Sequence, residues 1–166
     1  MRMATYACSR HSFLRRGRVG FVLLLLSLSA MLRAQSRFDY FYLQAEKCTL
    51  ADDYASASEL YRYCLRLRPD APEALYSMGL MHTFLREDSV GNRLLLRACE
   101  QDSCNAWYQT TLAASYLEKR NTEEVVPVLE RLARLKPMHS DVQSQLATIY
   151  HSKGDYVRTI EALNHI

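Results

Sequence analysis

Small residues return every 34 positions along this chain, and no gap is needed to keep them in phase. Ala45, Gly79, Ala113 and Ala147 form one such series, and Ala57, Gly91, Val125 and Thr159 form a second. Tyr61, Leu95, Leu129 and Leu163 make a third, of larger apolar side chains. A period of this length holds one pair of short helices, and a single pair cannot bury its own apolar face. Copies must therefore stack on one another. The expected architecture is all-α: a solenoid of antiparallel helix pairs, about three and a half of them. Only five glycines and four prolines occur in 166 residues, which suits helices better than many-turned β structure.

One stretch shows the unit. In Tyr54–Pro69, Ala57, Tyr61, Cys64 and Leu65 recur at helical spacing on one side, while Ser56, Glu59, Arg62 and Arg66 fall mostly on the other. Pro69 ends the helix, because proline has no amide hydrogen and restricts the residue before it. A residue as small as Ala57 on the inner side implies that another backbone passes close by. Gly79 implies the same, since glycine inside a helix costs about 1 kcal/mol relative to alanine. Gly91 is its expected counterpart on the following helix. Asp70, Pro72 and Glu73 read as a helix start, with Asp70 as the capping acceptor. Lys119 and Arg120 suit a helix end, and Glu123 and Glu124 the next helix start. With Thr122 as cap, Pro127 falls inside that helix and predicts a kink or a late start near Val126.

The period, the small eighth and twentieth positions, the aromatic seventeenth (Tyr54, Tyr156) and the proline near the end of the unit (Pro69, Pro137) resemble the tetratricopeptide repeat. The resemblance covers Phe38 to Ile166 and sets four units: 38–71, 72–105, 106–139 and a truncated 140–166. The fourth stops before its second helix is complete, so the expectation is a piece of a longer repeat protein. Residues 35–37 are expected to form a short linker, and 1–34 a leader. That leader has five arginines up to Arg18, then the apolar run Val19–Leu32. The run has 14 residues, and a bilayer-spanning helix needs about 20. It therefore fits a bacterial secretory signal, cut after Ala34 or at a second possible site offered by Ser27-Leu28-Ser29, with an uncleaved inner-membrane anchor or an organelle transit peptide as alternatives. Export to the periplasm or the periphery of the outer membrane follows from the first of these.

Charge and motifs exclude several functions. The whole chain carries a formal net charge of +3, with 21 basic and 18 acidic residues. Six of the basic residues lie in 1–34, so the remainder has 15 basic against 18 acidic, a net of −3. No basic stripe remains to neutralise nucleic-acid phosphates. There is no HExxH, no metal-type His/Cys spacing and no glycine-rich phosphate loop, so no metal or cofactor is expected. His139-Ser140-Asp141 holds triad residue types, but adjacent residues do not converge as a triad does. His82 shares the register of Tyr116 and Tyr150 and reads as a core or groove-edge residue. Cys48 and Cys64 occupy core registers, where a thiol acts as a small apolar group. Cys99 and Cys104 are either further structural thiols or a local disulfide.

What remains is a binding surface. The resemblance implies that the first helices line a concave groove through their second, fifth, ninth, twelfth and thirteenth positions. In the first repeat these include Asp39, Tyr42 and Glu46, and in the second Glu73, Tyr76, Leu80 and Thr83. The third supplies Trp107, Thr110, Ala114 and Leu117, and the fourth begins with Asp141. The implied function is a non-catalytic scaffold that holds a partner polypeptide, with Tyr76 and Trp107 as anchors. Aromatics beside acids suit a neutral or basic partner. No lysine or arginine stands at these positions, unlike repeats of the family that clamp acidic chaperone C-termini. No small-molecule substrate and no membrane insertion after signal cleavage are expected. Two alternatives stay open: the recognition arm of a larger enzyme or assembly subunit, and a membrane-tethered spacer.

Overall fold

The computed structural model describes residues 35–136 and 139–166. The leader, Pro137 and Met138 lie outside the described residues. The chain divides into two compact units, Met1–Phe41 and Tyr42–Ile166. Of the first, residues 35–41 are helical, including 35–37, where a short linker was expected. Within it the Gln35 side chain donates to Asp39 Oδ1 at 2.9 Å.

In the second unit every described element is a helix. Residues 42–50 form α1. Then come α2 (Tyr54–Leu67), α3 (Pro72–Phe84), α4 (Asp88–Gln101), α5 (Ala106–Glu118), α6 (Thr122–Leu135), α7 (Ser140–Ser152) and α8 (Tyr156–Leu163). Each packs on its neighbours in the chain, from α2 on α3 through to α7 on α8. This is the all-α solenoid that the period demands.

The turn inside each repeat is built one way four times. Asp52, Arg86, Arg120 and Gly154 occupy the same repeat position, and all have positive φ, between 55° and 75°. The next amide reaches back five residues in every case: Asp53 to Cys48, Glu87 to His82, Asn121 to Tyr116 and Asp155 to Tyr150. This satisfies a carbonyl that the helix end would leave orphaned. That next residue then caps the following helix. The side chains of Asp53, Asn121 and Asp155 accept from the amides of Ser56, Glu124 and Arg158. Glu87 has no such bond; its carboxylate lies 2.6 Å from His82 Nδ1 instead.

Three local expectations need correction. The cap of α6 is Asn121, and Thr122 is its first residue. The helix does not start late at Val126; it runs from Thr122 through Pro127. Glu123, whose carbonyl loses its partner, and Pro127 are both exposed, so water can take the place of the missing amide. Asp70 does not cap α3, whose cap position is Ala71 without a side-chain bond. The Asp70 carboxylate instead accepts from Arg97 on α4 at 3.3 Å.

The close approach of paired helices falls where the glycines are. A Cβ on Gly91 would stand 2.9 Å from the Gly79 carbonyl oxygen, and one on Gly79 would stand 3.1 Å from that of Gly91. The core runs along the stack as two clusters. One includes Ala45, Ala57, Tyr61 and Met81. The other extends from Leu95 through Leu112, Leu129 and Leu146 to Ala162. Tyr61, Leu95 and Leu129 are at most 1% exposed, whereas Leu163 at the same position of the fourth repeat is 53% exposed.

Candidate functional site

The first helices of the repeats stand side by side and exchange bonds at a repeating position. The Tyr42 hydroxyl lies 3.1 Å from Ser77 Oγ. One repeat later the Tyr76 hydroxyl lies 3.1 Å from Thr111 Oγ1. In both pairs a fifth-position tyrosine on one helix reaches the sixth-position hydroxyl of the next. Tyr42 also packs edge-on against Tyr61, with ring centroids 5.5 Å apart. Burial pushes its phenol up to about 12, the Ser77 bond acts against that shift, and the charge of Glu46 adds to it. Tyr42 therefore stays neutral and serves as a donor or acceptor throughout the physiological range.

Tyr76 and Trp107, expected as anchors, are brought into contact. Trp107 Nε1–H donates to the Tyr76 hydroxyl at 2.6 Å. The Tyr76 ring stacks on Tyr108 with centroids 4.7 Å apart. Trp107 is itself fixed at the start of α5, where its amide donates to the capping Asn105 side chain at 3.1 Å. Its indole is nonetheless 68% exposed. A large ring on a mostly exposed residue, held by its polar edge, is a pre-ordered apolar contact.

The other expected groove residues behave less uniformly. Glu46 accepts from the Tyr61 hydroxyl at 2.5 Å. Glu73 pairs with Arg68 at 3.2 Å. Both acids are thus partly engaged within the chain, which sequence spacing did not reveal. Leu80 is half-buried against the first core cluster. The Thr83 hydroxyl turns back to the Gly79 carbonyl at 3.1 Å and lies against Gly91, so it serves the helix contact. Thr110 is exposed, and its hydroxyl donates to the Ala106 carbonyl at 2.8 Å. Thr110 and Leu117 line a cleft of about 260 Å³ between α5, α6 and α7. Asp39 is exposed in the first unit.

Residues considered for chemistry have structural roles. His82 is buried, 3.4 Å from Ser58 Oγ on one side and 2.6 Å from Glu87 on the other. All four described cysteines are free, so Cys99 and Cys104 are not bridged. Burial pushes the thiols of Cys64 and Cys99 up to about 11, which leaves them protonated and unreactive near neutrality. Among the described residues no cluster of three metal-ligating side chains occurs, and no helix is long and apolar enough to cross a membrane.

No family model and no curated protein sequence matches the chain. Solved structures do. A crystal structure of MamA aligns with a TM-score of 0.65 at 16% identity, covering 82% of this chain and 81% of that one. The first TPR of Spaghetti (RPAP3), bound to the HSP90 peptide SRMEEVD, aligns with a TM-score of 0.61 at 15% identity, covering 72% and 94%. A mutant O-GlcNAc transferase from Thermobaculum terrenum aligns at 0.58 and 23% identity, over 72% of this chain but 23% of that one. The chain has the tetratricopeptide-repeat fold, an all-helical solenoid of paired helices.

Proposed function

We propose that this protein is a non-catalytic scaffold that holds a partner polypeptide against the face formed by α1, α3, α5 and α7. The observation that carries this reading is the Trp107–Tyr76–Thr111 chain of hydrogen bonds. It fixes two large aromatic side chains of adjacent repeats at the surface before any partner arrives. Pre-ordered aromatics of this kind are the usual centres of binding energy in protein interfaces. The RPAP3 repeat domain of similar fold is bound to an acidic peptide. The groove positions of this chain hold no lysine or arginine for such a ligand; of its acids, Glu73 is paired with Arg68 and Glu46 accepts from the Tyr61 hydroxyl. The partner segment is therefore neutral or weakly basic and rich in apolar side chains. Residues 1–34 direct the scaffold through a bacterial inner membrane, and it acts in the periplasm or at the outer-membrane periphery.

Trp107 is the only tryptophan in the chain, so its fluorescence reports on this face directly. Peptides selected by display on the immobilised protein should shift that emission to the blue. Tyr76→Ala should weaken the same peptides at least tenfold, and Trp107→Ala should do so by calorimetry. Selection that yields no peptide, or peptides indifferent to both changes, would remove the scaffold reading. Sequencing of the mature N-terminus tests export: a start at Gln35 supports it, and an intact leader supports a tethered spacer.

A second reading draws on the transferase likeness, in which a stack of this fold makes up 23% of a much longer chain. By that reading the stack is the recognition arm of a larger protein whose chemistry lies outside these residues.

A further inference from the structure

The fifth position of the first helix is a tyrosine in the first two repeats but Thr110 and Ser144 in the last two, and a cleft opens at Thr110, where a further repeat follows. In repeats one and two this position is Tyr42 and Tyr76. Tyr76 contacts the second, third and sixth positions of the next repeat: Trp107 by hydrogen bond, Tyr108 by ring stacking and Thr111 by hydrogen bond. Tyr42 reaches the sixth position, Ser77, and packs on the second helix of its own repeat through Tyr61. In repeat three the fifth position is Thr110, whose hydroxyl folds back onto its own helix. The cleft of about 260 Å³ lies there, between the third and fourth repeats.

Four residues of the cleft wall stand at repeat positions that the tyrosines touch elsewhere. Asp141, Val142 and Gln145 are the second, third and sixth positions of repeat four, and Leu129 is the counterpart of Tyr61. Ala114 and Leu117, at expected groove positions, complete the side toward the partner-binding face. The volume is below the roughly 300–1,000 Å³ typical of pockets for whole small molecules. It has room for one aromatic side chain. Lys136 and Asp141 both line it and carry opposite charges, so the cleft selects for shape and not for net charge.

We propose that the cleft between α5 and α7 is a specificity pocket for a tyrosine side chain of the bound partner, which takes the place that Tyr42 and Tyr76 fill within the chain. Gln145 stands where Ser77 and Thr111 meet those hydroxyls, and its amide can give or accept a bond to a phenol. The ring itself lies against Leu117, Leu129 and Val142. The proposal rests on the scaffold reading, because the ring must arrive on another polypeptide.

N-acetyl-tyrosine amide tests the pocket without any partner. Titrated into the full chain, it should move the backbone amide resonances of Ala113, Leu117, Val142 and Gln145 and saturate with a Kd of about 1 mM, as the size of such a probe allows. N-acetyl-leucine amide should leave them in place. Thr110→Tyr puts the chain's own ring into the cleft and should abolish the shifts while the thermal midpoint holds or rises. Thr110→Val keeps the cleft open and should bind as the unaltered chain does. Equal shifts with the leucine probe, shifts confined to other residues, or undiminished binding by a folded Thr110→Tyr variant would overturn the pocket. If the tyrosine probe fails while selected peptides still shift Trp107 emission, the pocket alone falls. If the probe binds and no peptide does, the scaffold reading falls.

Discussion

Gly91→Ala sets two known effects against each other, and the structure decides the sign. In an open helix the change would stabilise by about 1 kcal/mol, the difference in helix propensity. Here the new methyl would stand 2.8 Å from Thr83 Oγ1, 2.9 Å from the Gly79 carbonyl oxygen and 3.3 Å from the Thr83 amide nitrogen. Two of these three neighbours are backbone, which cannot turn away. The hydroxyl is tied to the Gly79 carbonyl at 3.1 Å. Relief therefore requires α3 and α4 to separate, at a cost of about 1–3 kcal/mol for overpacking. Weakening of the Thr83 bond adds about 0.5–1.5 kcal/mol. The net expectation is a loss of about 1–2 kcal/mol. Gly79→Ala is the control. Its nearest neighbour would be Leu95 Cγ at 2.9 Å, part of a side chain and not of the backbone, with Leu95 Cδ2 and the Gly91 carbonyl oxygen both at 3.1 Å. Its cost should be about 1 kcal/mol smaller, near neutral overall. Urea unfolding followed by far-UV circular dichroism measures both, provided the slope is unchanged and the stack still melts as one unit. A Gly91→Ala variant about 1 kcal/mol more stable than the parent would refute close backbone contact between the helices.

Three further changes test the packing. Pro127 is exposed inside α6, and an interior proline costs about 3 kcal/mol relative to alanine; Pro127→Ala should raise stability by about 1–3 kcal/mol in the same urea assay. Gln109 is fully buried, and neither its Oε1 nor its Nε2 has a hydrogen-bond partner among the described residues. The same position one repeat earlier is the buried Leu75, so Gln109→Leu should stabilise by about 1–2 kcal/mol, the usual cost of an unmet polar group. The thiols of Cys64 and Cys99 rise from 9.0 to about 11 on burial. The native chain thus keeps protons that the unfolded chain releases, and stability should fall as pH rises from about 9 to about 11, with little slope below that window. Tyr42, raised from 10.0 to about 12, extends the loss upward. Urea midpoints across that range check the sign, and of the four described cysteines only the exposed Cys104 and the half-buried Cys48 should react with a maleimide at neutral pH before unfolding.

The features legible in the sequence were those in which one residue type answers one geometric demand. A glycine pair 12 residues apart, Gly79 and Gly91, marked the contact between helices because nothing larger fits there. The inner stripe Ala57, Tyr61 and Cys64 was legible because burial at helical spacing leaves a periodic trace. Where several residue types can do one job, the reading slipped. Asp70 was as good a capping acceptor as any, but Arg97 competes for it across the helix pair. The left-handed turn residue was visible only in repeat four, as Gly154. Asp52, Arg86 and Arg120 adopt the same backbone with side chains that do not announce it. The partners that the groove acids find within the chain were hidden for a related reason. The bond from Tyr61 to Glu46 joins two helices, and nothing in the spacing of either helix carries that information.

A repeat protein offers a control that other folds lack, because each position is its own comparison. Departures that leave the stack unchanged need no functional account: Arg120 and Gly154 build one turn. Departures that change what the stack presents are different. Tyr42 and Tyr76 close the space between neighbouring first helices, each bonded to the repeat that follows. Thr110 at the same position closes nothing, although its flanking repeats pack as the others do. Stacking alone would favour a third tyrosine there, since the ring buries more apolar surface than a threonine and gains a bond to the next helix. Among the described repeats, the junction of the third and fourth is the one at which the preceding first helix offers no aromatic ring at this position. The stack thus gives up internal packing at a junction lined by the expected groove positions Thr110, Ala114 and Leu117. That trade favours a groove that reads a side chain over one that merely spans a distance.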